Sequence, residues 1–438
     1  MLRSLFKPVS ILPFTTFRIL FGIVVLYGLL ISVYKGEIEN RFTDLNFYFN
    51  YYGFEWLPYP GDSGVILLYV LCSLSAIGII LGFFYRFSVV LFSLTFSYLH
   101  TIDATNFINH YYLIWIFSVF LFFVPANSFF SLDRYFGLTK PQSSIPNYLR
   151  RVFLIQIGIV YTSAGIAKLN SDWLFAAMPL KIWLGQHTDY PILGTLFQYG
   201  QLQYAFSWFA AFYDLTIVWF LLYKKSRGFA YFFVLTFHLL TASLFDIGLF
   251  PPLMIISCLL FFPADWHLKI LKFFGMKNAE NAETCIPKLN NFTFSFLTLF
   301  VLIQLLLPFR HLMLTKNNIL WTQEYYRYGW RVMLLENEGL AQFTVWDEIN
   351  GKKYEIDNNL YLSGYQIKRM AVQPEHIRQF AHFLARGYKE KFSIENPKVT
   401  ADVFVAYNGR VSKRLIKKEV DLTKIEVNSK SESWILAE

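Results

Sequence analysis

The chain has 438 residues, of which 55% are hydrophobic and only 16% are charged. A soluble domain usually carries about 25% charged residues, so this composition excludes an ordinary water-soluble globular protein. The net charge of +9 does not by itself indicate nucleic-acid binding, because up to residue 310 most basic residues lie in the connections between apolar runs, on one predicted side.

Apolar runs recur from the N-terminus to about residue 310 and predict membrane-spanning helices. The run 65–84 is uncharged and long enough, at about 1.5 Å per residue, to cross the core of a bilayer. Residues 1–310 are therefore predicted to form a mainly α, polytopic transmembrane helical bundle of about eight or nine spans. Two runs are short, and one of these could be re-entrant. The nine runs are 12–34, 65–84, 88–102, 110–130, 152–167, 204–223, 228–245, 247–264 and 292–309.

The charges in the connections predict the orientation of these spans. If the N-terminus is cytoplasmic and the sides alternate, the outer loops hold only four basic residues, Lys35, Arg41, Lys168 and Lys181. The cytoplasmic segments hold many more, as the positive-inside rule requires. We therefore expect an integral multi-pass membrane protein whose C-terminal domain lies in the periplasm or in a lumen.

Residues 311–438 differ in composition and predict a small β-rich extracytoplasmic domain. Apolar and polar residues alternate in this region. Asn350-Gly351 and Asn408-Gly409 each lie between such runs, which is typical of hairpin turns. Pro374 opens a stretch with apolar residues at helical spacing, which predicts one helix between the hairpins.

The segment YTSAGIAKLNSDW (161–173) places a single lysine, Lys168, at the end of an apolar helix. One interpretation is an amine that simply reaches the membrane interface. However, the next residues include Asn170, Asp172 and Trp173 rather than a simple hydrophilic exit. A lysine held in apolar surroundings loses part of its preference for the charged form and becomes able to act as a general base.

Histidines provide further candidates. The pair Asn109-His110 opens a span on the same predicted side as Lys168, so all three residues can belong to one site, although an interfacial role for His110 stays open. His238 lies inside an apolar run, where a functional role and a helix–helix hydrogen bond are about equally compatible with the sequence. His187, in an outer loop, is a weaker candidate because loop histidines are commonly solvated.

Two further observations limit the chemistry. Asp214 lies in the middle of a span and should face a partner or a cavity rather than lipid. The chain has three cysteines without a CxxC pair, and it contains no HExxH motif. The sequence therefore predicts no metal site.

Six segments, in this order, resemble the vitamin K-dependent gamma-glutamyl carboxylases and their bacterial relatives, the horizontally transferred transmembrane group. The most specific is AGIAKLNSDW, in which the spacing of AG, KL and DW is typical of the family. The segments are LGFFYRFSVVLF (81–92), Asn109-His110 with Tyr112-Leu113, AGIAKLNSDW (164–173), FHLLTASLFDIGLF (237–250), LPFRH (307–311) and WTQEYYRYGWRVML (321–334).

The resemblance implies an enzyme that couples oxygenation of reduced vitamin K to carboxylation of protein glutamate. Lys168 matches the family's base, which removes a proton from the hydroquinone. The resulting anion reacts with oxygen to give a strong base and finally the epoxide. That base removes a γ-hydrogen from glutamate, and the carbanion takes up carbon dioxide to give gamma-carboxyglutamate. The implied catalytic residues are Lys168 and His110, and the implied quinone- and substrate-binding residues are Asn109, His187, His238, Trp173 and Asp172.

The same resemblance implies co-substrates and partners. The co-substrates are vitamin K hydroquinone or menaquinol, oxygen and carbon dioxide, without a metal. The partners are the lipid bilayer and a glutamate-containing peptide or protein, and no nucleic acid is expected. Two alternatives stay open: a quinone-linked membrane oxygenase that forms the epoxide but acts on another substrate, and a non-catalytic quinone-binding or transport protein.

Overall fold

The computed structural model describes residues 2–43, 45–275, 290–315, 317–427 and 433–438. A short two-stranded ribbon, β1 (Pro8–Ser10) with β2 (Ser144–Pro146), joins the N-terminus to the chain before the fifth long helix. The described parts are mostly helical, with a four-stranded antiparallel sheet in the C-terminal part, which confirms the predicted fold class.

Each predicted apolar run contains a helix, and one more polar helix lies between the last two. Among the described residues, six helices are long and apolar enough to cross a membrane: Leu12–Tyr34, Gly61–Leu81, Asn147–Ala167, Gly200–Leu222, Arg227–Leu244 and Asn291–Phe309. The helix Phe250–Cys258 has nine residues, too few to cross the hydrocarbon core as a helix. The bounds are α1 (Leu12–Tyr34), α2 (Gly61–Leu81), α3 (Tyr85–Thr101), α4 (Asn109–Phe123), α5 (Asn147–Ala167), α6 (Gly200–Leu222), α7 (Arg227–Leu244), α8 (Phe250–Cys258), the more polar α9 (Ala264–Phe273) and α10 (Asn291–Leu306).

Arg18, within α1, is fully buried and completes the C-terminal end of α2. Its Nη1 donates to the carbonyls of Ile79 and Ile80 at 2.7 Å each, and its Nη2 donates to the carbonyl of Phe130 at 2.5 Å. The last carbonyls of a helix lack intrahelical partners, so the guanidinium supplies donors that apolar surroundings cannot. A Cβ at Gly82 would lie 2.6 Å from Nη1, so this close approach requires a glycine.

The C-terminal part forms an antiparallel sheet with two helices packed against it. The strand order is β4-β3-β5-β6, and the sequence Asn350-Gly351 forms the turn between β3 and β4, with Gly351 at φ +64. Asn408-Gly409 lies between β5 and β6, so both predicted hairpins are confirmed. The predicted helix is confirmed as the one that begins at Pro374, and the structure has a second helix, Gly364–Ala371, that the sequence did not predict. The bounds are β3 (Asn337–Asp347), β4 (Lys352–Glu355), α11 (Gly364–Ala371), α12 (Pro374–Phe392), β5 (Lys398–Tyr407) and β6 (Lys413–Arg414).

The aromatic segment between α1 and α2 attaches this sheet domain to the helices. Phe49 is fully buried, and its ring centre lies 4.7 Å from that of His376 on α12. The backbone of Asn50 exchanges two hydrogen bonds with the side-chain amide of Gln379, at 2.9 and 3.0 Å. The segment therefore packs against α12 through both its aromatic side chains and its backbone.

Candidate active site

Lys168 forms the C-terminal cap of α5, and its side chain is buried between α5 and α6. The residue is 4% exposed, and its Nζ donates a 2.8 Å hydrogen bond to Oδ2 of Asp214, which is 6% exposed. The amine also lies 5.2 Å from the centre of the Trp173 ring. Amine and carboxylate thus form a pair that carries no net charge and is shielded from water and lipid.

A glycine one turn before Lys168 allows the two helices to approach closely enough for this pair to form. A Cβ at Gly165 would lie 2.7 Å from Cγ and 2.9 Å from the backbone nitrogen of Leu215. Leu215 follows Asp214 directly, so the same close contact brings the carboxylate within reach of the amine. The glycine of the AGIAKLNSDW segment therefore has a packing role.

Trp173 is held rigidly against α6. Its backbone N–H donates to Asn170 Oδ1 at 3.0 Å, which caps the short helix Ser171–Ala176. Its indole N–H donates to the carbonyl of Ser207 at 2.7 Å, and the Ser207 hydroxyl donates back to the Trp173 carbonyl at 2.5 Å. The indole ring is therefore a fixed wall beside the amine, in position for a cation–π contact.

Lys168, Asp214 and Trp173 line a cavity of about 360 Å³ between α5, α6 and α7, which we call the apolar cavity. Its volume lies within the range of about 300–1,000 Å³ typical of small-molecule sites. The remaining lining is mostly aliphatic and aromatic and includes Phe209. Phe209 is also 43% exposed on the outer face of α6, so the cavity borders the surface that would contact lipid.

His238 and Tyr161 form a hydrogen bond in the wall of the apolar cavity. The distance between His238 Nε2 and the Tyr161 hydroxyl is 2.8 Å, and the Tyr213 hydroxyl lies 3.4 Å from that of Tyr161. Tyr161 precedes Lys168 by two turns of α5, or about 10 Å along the helix axis. Within the described residues, Nδ1 of His238 has no hydrogen-bond partner. The cavity therefore has a second polar group two turns from the amine.

Asn109 and His110 line a second cavity of about 1360 Å³ below the sheet domain, which we call the polar cavity. The Asn109 amide N–H donates to the Arg331 carbonyl at 3.4 Å, and its buried Oδ1 has no partner in the described residues. A Cβ at Gly248, where φ is +58, would lie 3.1 Å from Cε1 of His110. The positive φ therefore favours glycine before α8, and a side chain there would crowd the His110 ring.

The two cavities adjoin, since each is lined by the same six residues. The sequence predicts one site for Lys168 and the Asn109-His110 pair. In the structure they lie in neighbouring cavities, on either side of a common apolar wall. The shared residues are Leu244, Phe245, Ile247, Phe250, Val332 and Met333.

Two predicted site residues line neither cavity. Asp172 binds Arg410 of the sheet domain through two hydrogen bonds of 2.8 and 2.6 Å and accepts a third from Asn408 at 3.0 Å. The Arg410 guanidinium holds the pKa of the Asp172 carboxyl below its usual value. His187 is half-buried, and its ring centre lies 6.2 Å from that of Phe245 in the common wall. Asp172 thus links the helices to the sheet domain. His187 contacts Phe245 of the common wall but does not line either cavity.

Family models match almost the whole chain. Residues 6–266 match the HTTM domain, and residues 289–438 match the lumenal domain of vitamin K-dependent gamma-carboxylase. The chain belongs to the vitamin K-dependent gamma-carboxylase family. The resemblance is thereby confirmed, and the second model also includes α10. A search of solved structures gave no significant match.

Membership of the carboxylase family agrees with the chemistry of the two cavities. The family implies a vitamin K co-substrate in general. In the parts of the chain that the structure describes, no group of three or more His, Cys, Asp or Glu side chains is placed to hold a metal ion. The roles of the individual site residues stay predictions.

Sequence analysis of this carboxylase-family chain missed two features of the site. It indicated that Asp214 needs a partner, but it did not pair Asp214 with Lys168, because the two are distant in sequence and their pairing depends on helix packing. It also missed the arginines that surround the polar cavity, although Arg327 and Arg331 lie within the quoted WTQEYYRYGWRVML segment. The alternation of arginines with aromatic residues in this segment was the pattern from which they could have been predicted.

Proposed function

We propose that this protein is a vitamin K-dependent gamma-glutamyl carboxylase, which oxygenates the hydroquinone to the epoxide and carboxylates glutamate in a peptide. The observation that carries this proposal is the buried Lys168–Asp214 pair in an apolar cavity that adjoins a large polar one. The two cavities match two substrates of opposite character, a lipid-soluble ring and a charged peptide. We also propose that the chain divides at residue 310 into a membrane domain and an extracytoplasmic domain.

The Lys168–Asp214 pair would provide the base. One proton shared between amine and carboxylate leaves the pair neutral, whichever group holds it. When the proton rests on Asp214, Nζ has a free lone pair and can accept a proton from a phenolic hydroxyl in the cavity. The apolar lining excludes the water that would otherwise compete for that proton.

The apolar cavity would hold the quinone ring. Phe209 on α6 and Thr236 on α7 line the cavity and are exposed on the outer face of the bundle. A lipid-soluble substrate can therefore enter from the side, with its tail between the two helices. Trp173 would pack against the quinone ring. The Tyr161–His238 pair would form a hydrogen bond with the quinone oxygen that is distant from Lys168.

The polar cavity would receive the glutamyl side chain. Asn109 and His110 border it at the common wall, so they would face the reacting edge of the quinone and the glutamate together. We propose that the N-terminus is cytoplasmic and that this cavity opens to the periplasm or a lumen, as the distribution of basic residues predicts. Peptides would then enter from the aqueous side and quinone from the bilayer.

The test is Lys168→Ala in the purified protein, assayed for hydroquinone-dependent epoxide formation and for fixation of labelled carbon dioxide into a glutamyl peptide. Removal of a general base should lower both rates by about 10²–10⁴-fold, and small amines should partly restore them. The matched control is Lys181→Ala, which removes an exposed lysine outside both cavities. Unchanged turnover in Lys168→Ala would contradict the proposal, and epoxide without carbon dioxide fixation would favour an oxygenase acting on another substrate.

A further inference from the structure

Three arginines lie together at the end of the helical part that is opposite Lys168. Arg150 and Arg151 are near the start of α5, and Arg227 is the first residue of α7. Along α5, Arg150 is separated from Lys168 by about 27 Å, which is comparable with the thickness of a bilayer core. We call Arg150, Arg151 and Arg227 the inner basic cluster, because they lie at the predicted cytoplasmic ends of their helices.

Neutral helix ends hold two members of the inner basic cluster in place. Arg150 Nη2 donates to the carbonyl of Leu260 at 2.9 Å and to that of Phe261 at 3.0 Å, at the end of the short helix that follows α8. Arg227 Nε donates to the carbonyl of Leu221 at 2.8 Å, at the end of α6. These carbonyls lack partners within their own helices, so the contacts position the guanidinium groups without neutralising them.

The charges of the inner basic cluster are not balanced by acidic side chains. Arg150 lies close enough to Arg227 and Arg151 to be repelled by both, and no carboxylate of the described residues is among the charges that act on it. Lys224 and Lys225 add two exposed charges in the turn between α6 and α7. The positive-inside rule accounts for basic residues on this side, but it does not require half-buried arginines to lie together. Like charges held in contact repel one another, so an anion placed between them would be stabilising.

The cluster also borders an aromatic surface that would face lipid. Trp219 and Tyr223, at the end of α6, and Phe229, in the first turn of α7, are all exposed. Tryptophan and tyrosine are enriched at the level of the lipid headgroups. A ligand of this region can therefore place a charged group between the arginines and apolar chains beside α6 and α7.

We propose that the inner basic cluster binds the phosphate group of an anionic phospholipid, whose acyl chains lie against α6 and α7. A guanidinium binds phosphate oxygens through parallel hydrogen bonds, and basic side chains at the cytoplasmic ends of spanning helices attract anionic headgroups. A free phosphate would make the same contacts with the arginines, but it would leave the aromatic surface uncovered. The inference goes beyond the proposed function and does not rest on it, since the cluster lies at the opposite end of α5 from the apolar cavity.

The test counts bound lipids by native mass spectrometry of the full-length protein in a neutral detergent. The protein is titrated separately with phosphatidylglycerol and with phosphatidylcholine that carry the same acyl chains. We expect the first phosphatidylglycerol to bind about tenfold or more tightly than the first phosphatidylcholine, as expected for hydrogen bonds between charged groups. Equal affinities of the two lipids would overturn the proposal.

Variants assign the binding to the inner basic cluster. Arg151→Gln and Arg227→Gln should each weaken phosphatidylglycerol by about fivefold or more, whereas Arg134→Gln should change it less than about twofold. Arg134 is exposed on the same predicted side and is not among the charges that act on Arg150, so it matches the charge change. If Arg227→Gln is not recovered folded, Arg151→Gln still decides, because Arg151 does not bind the helix-end carbonyls. Unchanged affinity in Arg151→Gln, or equal weakening by Arg134→Gln, would overturn the assignment.

A competition experiment separates a lipid from a free anion. Inorganic phosphate, added at the same concentration as phosphatidylglycerol, should leave the bound lipid in place, because it lacks the contacts of the acyl chains with the aromatic surface. Displacement of the lipid by an equal concentration of phosphate would show that the cluster binds free phosphate and would overturn the lipid proposal. The readout is lipid binding alone, so a failure of the proposed carboxylase activity would leave this result unaffected.

Discussion

At the residue scale, the pairing of Lys168 with Asp214 determines how a charged amine is tolerated among apolar side chains. Removing one partner of a buried pair leaves an uncompensated charge and typically costs about 3–5 kcal/mol, whereas replacing both partners with neutral groups is often nearly neutral. The pair is within hydrogen-bond distance at 2.8 Å, and both residues are buried. Stability and activity can therefore be separated by mutation.

We predict that Lys168→Met and Asp214→Asn each lower the thermal unfolding midpoint, and that the double variant recovers most of this loss. All three should lack hydroquinone-dependent epoxide formation, because the double variant restores the charge balance without restoring a base. Thermal unfolding in detergent and the epoxide assay, on the same preparations, measure the two effects. Destabilisation of the double variant by the sum of the single effects would show that the two side chains are not coupled.

At the element scale, the close packing of α5 on α6 positions the site. Gly165→Ala would place a methyl group 2.9 Å from a backbone nitrogen, and overpacking of this kind typically costs about 1–3 kcal/mol. Gly158, on the same helix, has only Val218 Cγ1 at 3.7 Å from its virtual Cβ. We predict lower stability and lower epoxide formation for Gly165→Ala, and neither effect for Gly158→Ala. Similar losses in both variants would contradict a specific role for the Gly165 contact.

Elements were more predictable than the contacts between them. The apolar runs and the two Asn-Gly turns gave correct helices and hairpins, because hydrophobicity and turn conformation act over a few residues. The burial of Arg18 under the end of α2 and the adjoining cavities depend on packing between distant segments. Lys168 could be selected as a candidate because it is a charged residue at the end of an apolar stretch. Its partner Asp214 could not be assigned, because the pairing depends on how two helices pack.

At the scale of the whole molecule, Asp172 and Arg410 hold the sheet domain on the helices. The pKa of Asp172 is lowered in the folded protein, so its ionisation adds stability above the unfolded value of about 3.9. This contribution is lost as the pH falls through the lower, folded value. We predict that Asp172→Asn is less stable than wild type at pH 7 and that the difference disappears in strong acid.

Thermal unfolding midpoints from pH 7 down to strong acid, below the lowered pKa of Asp172, measure this dependence. The control is Asp189→Asn, since Asp189 is exposed in the neighbouring loop. The difference in unfolding midpoint between the wild type and Asp189→Asn should stay small at every pH tested. A difference for Asp172→Asn that persists unchanged at the lowest pH would show that the ionised carboxylate is not what holds the two parts together.

The central claim is that a quinone ring binds against Lys168 in the apolar cavity. Electron cryomicroscopy of the protein with a bound naphthoquinone measures this directly. We predict ring density between α5, α6 and α7, with one oxygen at hydrogen-bond distance, about 3 Å, from Lys168 Nζ. Ring density confined to the polar cavity or to the outer surface, with no oxygen near that nitrogen, would contradict the account.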